Sequence, residues 1–153
     1  MQKLDLYLQT KVITIGIRDL KRCIDLDLKT LNGIWNNTQW EKELTDPNRI
    51  CLGIVKGTDL LALATGWLIM SDLNITFLAV DPLYQRLGLG IRVLSELINK
   101  AKKSGMKIAT IDAKETNIAA KALYKKMDFE EVRCRYNLYK DGNNAIIYQR
   151  LFY

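Results

Sequence analysis

The sequence predicts an α/β fold of the α+β type: one domain, residues 1–153, with a mixed, mostly antiparallel central sheet flanked by about four helices. Three β-rich runs follow one another between residues 49 and 80 with short turn-like links, the pattern of an antiparallel meander. A strand, an amphipathic helix and another strand then occupy 74–113, which implies a parallel pair joined by a right-handed crossover. Two further β-rich runs close the chain around Asp141-Gly142. With 153 residues, 48% of them apolar, the chain can bury one sizeable core and is too apolar for disorder.

Residues 12–17 alternate β-branched residues with others and predict the first strand. Over 19–31, Leu20, Ile24, Leu28 and Leu31 fall at helical spacing, and Gly33 marks the stop. Thr38, followed three residues on by Glu41, predicts a capping box opening a short helix over 39–44, ended by Asp46-Pro47. This helical pair carries Trp35 and Trp40, aromatics suited either to anchor a core or to wall a substrate groove. Runs 49–56 and 60–70 predict a hairpin turned by Gly57-Thr58-Asp59, and 74–80 adds a third strand after Ser71-Asp72.

The helix predicted over 88–103 sets Leu89, Val93, Leu94, Leu97, Ile98 and Ala101 on one side, and Gly105 supplies its stop. Residues 107–113 form the next strand, parallel to 74–80. A second helix over 117–127 has Thr116 or Asn117 as its cap. The closing hairpin pairs 131–139 with 144–151 through a type I′ turn at Asp141-Gly142.

Composition removes several chemistries. The chain has no histidine, so a Ser-His or Cys-His nucleophile and a histidine metal site are excluded. Its 3 cysteines are odd in number and far apart, which indicates neither a disulfide framework nor a metal knuckle; no metal is expected. The N-terminal stretch carries charges where a signal peptide needs an apolar run, and the apolar run 60–70 is too short to span a bilayer. A reducing cytoplasmic location, without membrane contact, is the expectation. The net charge of +6 suits either solvated helix faces or an acidic partner: a phosphorylated cofactor, RNA or a ribosomal surface. No aromatic-and-basic repeat marks a nucleic-acid platform, so nucleic acid ranks below a protein as partner.

The chemistry should lie in 75–91, ITFLAVDPLYQRLGLGI, where a strand empties through a proline into a glycine-spaced turn and a helix. Pro82 has no amide to donate and ends the ladder. Gly88 and Gly90 let the backbone approach a ligand, and unpaired amides converge there with the helix dipole. The stretch reads as a phosphate cradle, with Gln85 and Arg86 as added side-chain donors.

Gln85-x-x-Gly88-x-Gly90 after Val80-Asp81-Pro82 resembles the acetyl-CoA signature of the GNAT N-acetyltransferases. The likeness extends over nearly the whole chain, including T-N-x-x-A-x-x-L-Y from Thr116 to Tyr124. Within that superfamily the tail, Asn137-Leu138-Tyr139-Lys140-Asp141-Gly142-Asn143-Asn144-Ala145, is similar to the RimI type, the ribosomal-protein-alanine N-acetyltransferases. Leu138 and Asn144 depart from that type's tyrosine and aspartate.

The resemblance implies a GNAT acyl-CoA N-acyltransferase fold and roles for named residues. Backbone groups of Leu78, Ala79 and Val80 would pair with the pantetheine arm of acetyl-CoA. The segment Gln85, Arg86, Leu87, Gly88, Leu89, Gly90 and Ile91 would hold its pyrophosphate, and Asn117 would contact it farther along. Asp112 matches a glutamate that acts as general base, one methylene longer, so Asp112 would work directly or through a water. Tyr124 matches the tyrosine that protonates the departing thiolate. Asp72 stands in reserve as base, and Tyr139, Asp72 and Trp35 would face the acceptor.

The implied reaction moves an acetyl group from acetyl-CoA to a protein N-terminal α-amine, that of a ribosomal protein, by direct attack in a ternary complex. An α-amine with a pKa of about 8 is easier to deprotonate than a lysine at about 10.4. Alternatives are a lysine side chain, small amine or aminoacyl-tRNA as acceptor, and a non-catalytic acyl-CoA sensor.

Overall fold

The computed structural model describes residues 2–152. Among them are five α-helices and seven strands: α1 (Lys3–Gln9), β1 (Lys11–Thr14), α2 (Leu20–Leu31), α3 (Asn37–Thr45), β2 (Arg49–Lys56), β3 (Asp59–Ile69), β4 (Asp72–Val80), α4 (Leu89–Lys103), β5 (Ile108–Lys114), α5 (Ile118–Lys126), β6 (Glu130–Arg135) and β7 (Ala145–Leu151). The strands form one sheet in the order β1-β2-β3-β4-β5-β7-β6. Only β4 and β5 pair in parallel; every other neighbouring pair is antiparallel. The mixed, mostly antiparallel sheet is thus the one the sequence predicts. Among the described residues no helix is long and apolar enough to cross a membrane.

Two apolar cores cover the two faces. On one, Val93, Leu94, Leu97, Ile98 and Ala101 of α4 pack against Leu52, Ile54, Leu61, Leu73, Ile75 and Ile111, joined by Leu6 of α1 and Tyr124 of α5. On the other, α2 and α3 bring Cys23, Leu26 and Trp40 onto Cys51, Leu63, Phe77 and Ala79. The crossover helix therefore buries the stripe its periodicity marks, while the helical pair closes the opposite face.

A β-bulge in β4 decides which residues meet which core. Gly66 pairs with Ile75 and the adjacent Thr65 with Phe77, so Thr76 is an extra residue without a partner in the β3–β4 ladder. One inserted residue inverts the alternation, and Ile75 and Phe77 end on opposite faces.

Several local expectations need correction. Helix α1 carries no periodic signal in the sequence: over its seven residues only Leu6 is buried. It is held by Arg92 of α4, whose guanidinium donates to Thr10 Oγ1 at 2.6 Å and stacks on Tyr7 at 4.4 Å from the ring centroid. The first strand covers Lys11–Thr14 and not 12–17, because Ile17–Asp19 forms a 3-10 turn whose Asp19 carboxylate accepts from the Gly16 amide at 3.0 Å. Leu28 and Leu31 of α2 are exposed, and Asp27 is buried in their place. Its two oxygens accept from the Ile34 and Trp35 amides (2.9 and 3.2 Å) and from Trp40 Nε1 (3.0 Å), fastening the α2–α3 link. The capping box of α3 lies two residues earlier than Thr38–Glu41: Asn36 and Gln39 cap each other's amides, both at 2.8 Å.

The closing hairpin is also different. β6 ends at Arg135, and 136–144 form a long loop. Gly142 has φ +84° but Asp141 does not share a positive φ, so the type I′ turn is absent; the Gly142 amide instead closes a turn onto Tyr139 O at 2.9 Å.

Candidate active site

The parallel ladder between β4 and β5 runs only through Asp72–Ile108, Leu73–Ala109 and Asn74–Thr110. Beyond it the two strands part. β4 stays paired to β3 as far as Val80, and β5 to β7 as far as Lys114, so the edges that face each other across the gap carry backbone groups with no ladder partner. The bulge at Thr76 falls just where the strands separate, and bulges bend a strand. An extended, amide-bearing chain fits such a gap, since it can take up those donors and acceptors.

At the mouth of the gap Val80 leads into Asp81, whose buried carboxylate accepts from the Leu83 amide at 3.0 Å and meets Lys29 Nζ at 3.3 Å. Pro82–Tyr84 form a 3-10 turn, and Gln85 Nε2 donates back to Val80 O at 3.2 Å. Leu87 and Leu89 then pin the turn to the α4 core, while Arg86 (φ +63°) and Gly88 (φ +86°) turn the backbone left-handed. Among the described residues, no protein acceptor takes the amides of 85–91; the first bonded one is Arg92, to Gly88 O at 3.1 Å. A β-carbon at Gly88 would meet nothing within 4 Å, so these amides border open space at a helix N-terminus. The residues present therefore fit a pyrophosphate. Lys3 and Tyr7 of α1 flank the same turn across a cavity of about 430 Å³.

Along β5, Ala109, Ile111 and Ala113 face the α4 core, which leaves Thr110, Asp112 and Lys114 on the other face. Asp112 is exposed, and Oδ2 accepts a 2.8 Å hydrogen bond from Tyr139 Oη. Tyr124 comes from the opposite side. Its ring is 5% exposed and sits in the α4 core, edge-on to Tyr148 at 5.2 Å. Burial pushes its hydroxyl well above the ordinary range, and the charge of Asp112 adds to the effect, so the two groups feel each other across the sheet. No protein hydrogen bond holds the Tyr124 hydroxyl among the described residues. Burial and the Asp112 carboxylate likewise raise the Tyr139 hydroxyl.

Asn117 is the cap of α5: its Oδ1 accepts from the Ala120 amide at 3.1 Å, leaving the side-chain NH₂ to donate outward. Leu123 ties α5 to the cradle, lying 3.7 Å from where a Gly90 β-carbon would stand. Leu78, Ala79 and Val80 are the last residues of β4, along the gap.

The other two acceptor-side residues lie elsewhere. Asp72 opens β4 and pairs with Ile108, and its side chain reaches Thr110, two residues before Asp112 on the same face of β5. Both its oxygens accept from Thr110 Oγ1 at 3.1 Å; burial raises its pKa, and that hydrogen bond partly offsets the rise. Trp35 is half-buried against Trp40 (4.8 Å) and Phe77 (5.2 Å), an aromatic cluster of the α2–α3 core.

Asp112 and Tyr139 thus meet on one face of β5, Tyr124 lies on the other face within reach of the Asp112 charge, and Asp72 is held to Thr110. A carboxylate on one side and an unattached, neutral phenol on the other can take a proton from one group and give one to another without a covalent intermediate.

Known proteins share both the sequence and the shape. A model described as Acetyltransferase (GNAT) family matches residues 19–129. The [ribosomal protein bS18]-alanine N-acetyltransferase of Escherichia coli (strain K12) is 34% identical over 94 residues, 60% of this chain and 64% of that protein's length. The N-alpha-acetyltransferase RimI of Mycobacterium tuberculosis is 29% identical over 151 residues, covering 92% of this chain and 94% of that one. Among solved structures, the Escherichia coli ribosomal-protein-S18-alanine N-acetyltransferase superposes with a TM-score of 0.86 at 25% identity over 93% of both chains. Arabidopsis thaliana NAA60 in complex with acetyl-CoA shares the fold, with a TM-score of 0.85 at 14% identity over 94% of this chain and 98% of that one. With the split β4–β5 pair, the free amides of the β4–α4 turn and the family match over most of its length, the chain belongs to the GNAT acetyltransferase family.

Proposed function

We propose that this chain transfers the acetyl group of acetyl-CoA to the N-terminal α-amine of a protein, a ribosomal protein, by direct attack in a ternary complex. The observation that carries the reading is the Asp112–Tyr139 hydrogen bond beside a gap whose mouth is a row of free amides. The sequence likeness to a [ribosomal protein bS18]-alanine N-acetyltransferase and to an N-alpha-acetyltransferase supports the choice of acceptor. Free Cys23, Cys51 and Cys134 accord with a reducing, cytoplasmic setting.

Acetyl-CoA supplies the activated acyl carbon and a thiolate leaving group. The free edge at Leu78, Ala79 and Val80 pairs with the pantetheine arm, the amides from Arg86 to Ile91 hold the pyrophosphate, and Asn117 donates to the donor farther along. Asp112 receives the amine's proton, and Tyr124 gives its own to the sulfur as it leaves. Because Tyr124 acts only when a thiolate is developing, its raised pKa keeps it protonated until then.

Measuring CoA release from acetyl-CoA with peptides beginning Ala, Ser or Met tests this. Turnover that disappears when the peptide's α-amine is blocked is expected. Tight acetyl-CoA binding without turnover on any amine would favour an acyl-CoA sensor instead.

A further inference from the structure

Asp112 Oδ2 already accepts from Tyr139 Oη at 2.8 Å. We propose that Tyr139 is the group that touches the substrate amine, passing the amine's proton on to Asp112. This rests on the transfer reading given above. A phenol oxygen has one hydrogen and two lone pairs; the hydrogen points at Asp112, which leaves a lone pair to accept from an incoming N–H. The tyrosine thereby lengthens the aspartate by its own ring.

The loop that carries Tyr139 is fastened to β5 and the turn after it. Lys114 Nζ meets Asp141 Oδ2 at 2.7 Å, Asn144 Nδ2 donates to Glu115 Oε2 at 2.9 Å, and the Glu115 amide donates to Asn144 O at 2.9 Å. Within the loop, the Tyr139 amide donates to Asn143 O at 3.2 Å and the Asn137 amide to Asn144 Oδ1 at 2.9 Å. Lys114 Nζ also lies 5.3 Å from the centre of the Tyr139 ring. Half-buried and anchored on both flanks, the phenol is set in place before any substrate arrives.

In the step, the amine nitrogen forms its bond to the acyl carbon while its proton moves to Tyr139 Oη, and the phenol's own proton moves to Asp112 Oδ2. Tyr139 ends as it began. Asp112 ends as a neutral acid and returns the proton to water, while the C–S bond breaks and Tyr124 protonates the sulfur, itself recovering a proton from solvent. Because Tyr139 gives one proton as it takes another, it never has to ionise, and the raised pKa caused by burial and by Asp112 is compatible with that role.

The test uses the full chain, saturating acetyl-CoA and an Ala-starting peptide, with kcat and KM read from CoA release between pH 6 and 10. Tyr139→Phe should lower kcat by about 10²-fold with acetyl-CoA affinity and melting temperature unchanged, and adding Asp112→Glu to it should restore at least about tenfold, because the longer carboxylate reaches the amine unaided. Loss confined to peptide KM, unchanged kcat, or no rescue by the double variant would overturn the relay while leaving acetyl transfer standing; a wild-type chain inert on every amine would overturn the transfer reading itself.

Discussion

Ile75 and Phe77 stand two residues apart on β4 and lie in opposite cores, Ile75 under α4 and Phe77 against Trp35 and Trp40. The inversion comes from Thr76, the extra residue of the bulge, which begins one residue beyond the last β4–β5 pair. The same device lets Leu78 and Val80 pack toward the α4 core while their backbone borders the gap. Deleting Thr76 would return the strand to regular pairing: Ile75 and Phe77 become neighbours and keep their opposite faces, while the bend where β4 parts from β5 is lost. The shortened chain should still unfold cooperatively in urea yet bind acetyl-CoA more weakly, and unchanged affinity would mean that the bulge does not open the gap.

Gly88→Glu should abolish acetyl-CoA binding by calorimetry. The position has φ +86°, costly for a side chain, and a carboxylate there would stand against the pyrophosphate that the free amides attract. Unchanged affinity would remove the cradle from the mechanism.

Tyr124→Phe should cut turnover by about 10²-fold or more while acetyl-CoA affinity holds. Its hydroxyl has no protein hydrogen bond to lose among the described residues, so urea unfolding should shift by less than about 0.5 kcal/mol. A large stability loss together with wild-type turnover would make Tyr124 a core residue only.

Asp141 is held at a pKa of about 2, first by its hydrogen bond from Lys114 and then by those from Asn143. A depressed carboxylate contributes to loop order above its unfolded pKa of about 3.9, and that contribution is lost as pH falls through the folded value. An NMR titration of the Asp141 side-chain carbon should follow this, and Lys114→Ala should move the midpoint up toward the ordinary value. A midpoint that stays put would mean that Lys114 does not fasten the loop.

Asp27→Ala leaves three donors, the Ile34 and Trp35 amides and Trp40 Nε1, without their buried acceptor. Thermal and urea unfolding should show a loss of about 3 kcal/mol or more, because the unpaired donors stay desolvated.

What was legible in the sequence is what repeats or punctuates. The stripe of α4, the three-strand meander, the parallel crossover and the free-amide turn all follow from period and from Pro82, Gly88 and Gly90. What was not legible depends on single tertiary contacts. Helix α1 is held chiefly by Leu6 and Arg92, the bulge at Thr76 leaves no mark on an alternation of buried and exposed residues, and Asp27 looks like a solvated helix residue until Trp40 is placed beside it. Asp141-Gly142 resembled a tight hairpin signal, yet contacts of Lys114 and Glu115 with the loop open it to 136–144. In the site, Asp112, Tyr124 and Tyr139 were each singled out, but the hydrogen bond that joins two of them could come only from three dimensions.

The most direct measurement is mass spectrometry of one peptide that has an N-terminal alanine and an internal lysine, incubated with this chain and acetyl-CoA. Acceptance at the α-amine predicts one acetyl group, mapped to the alanine, that Tyr124→Phe forms about 10²-fold more slowly. An acetyl group mapped to the lysine, or none at all on a chain that binds acetyl-CoA, would contradict it.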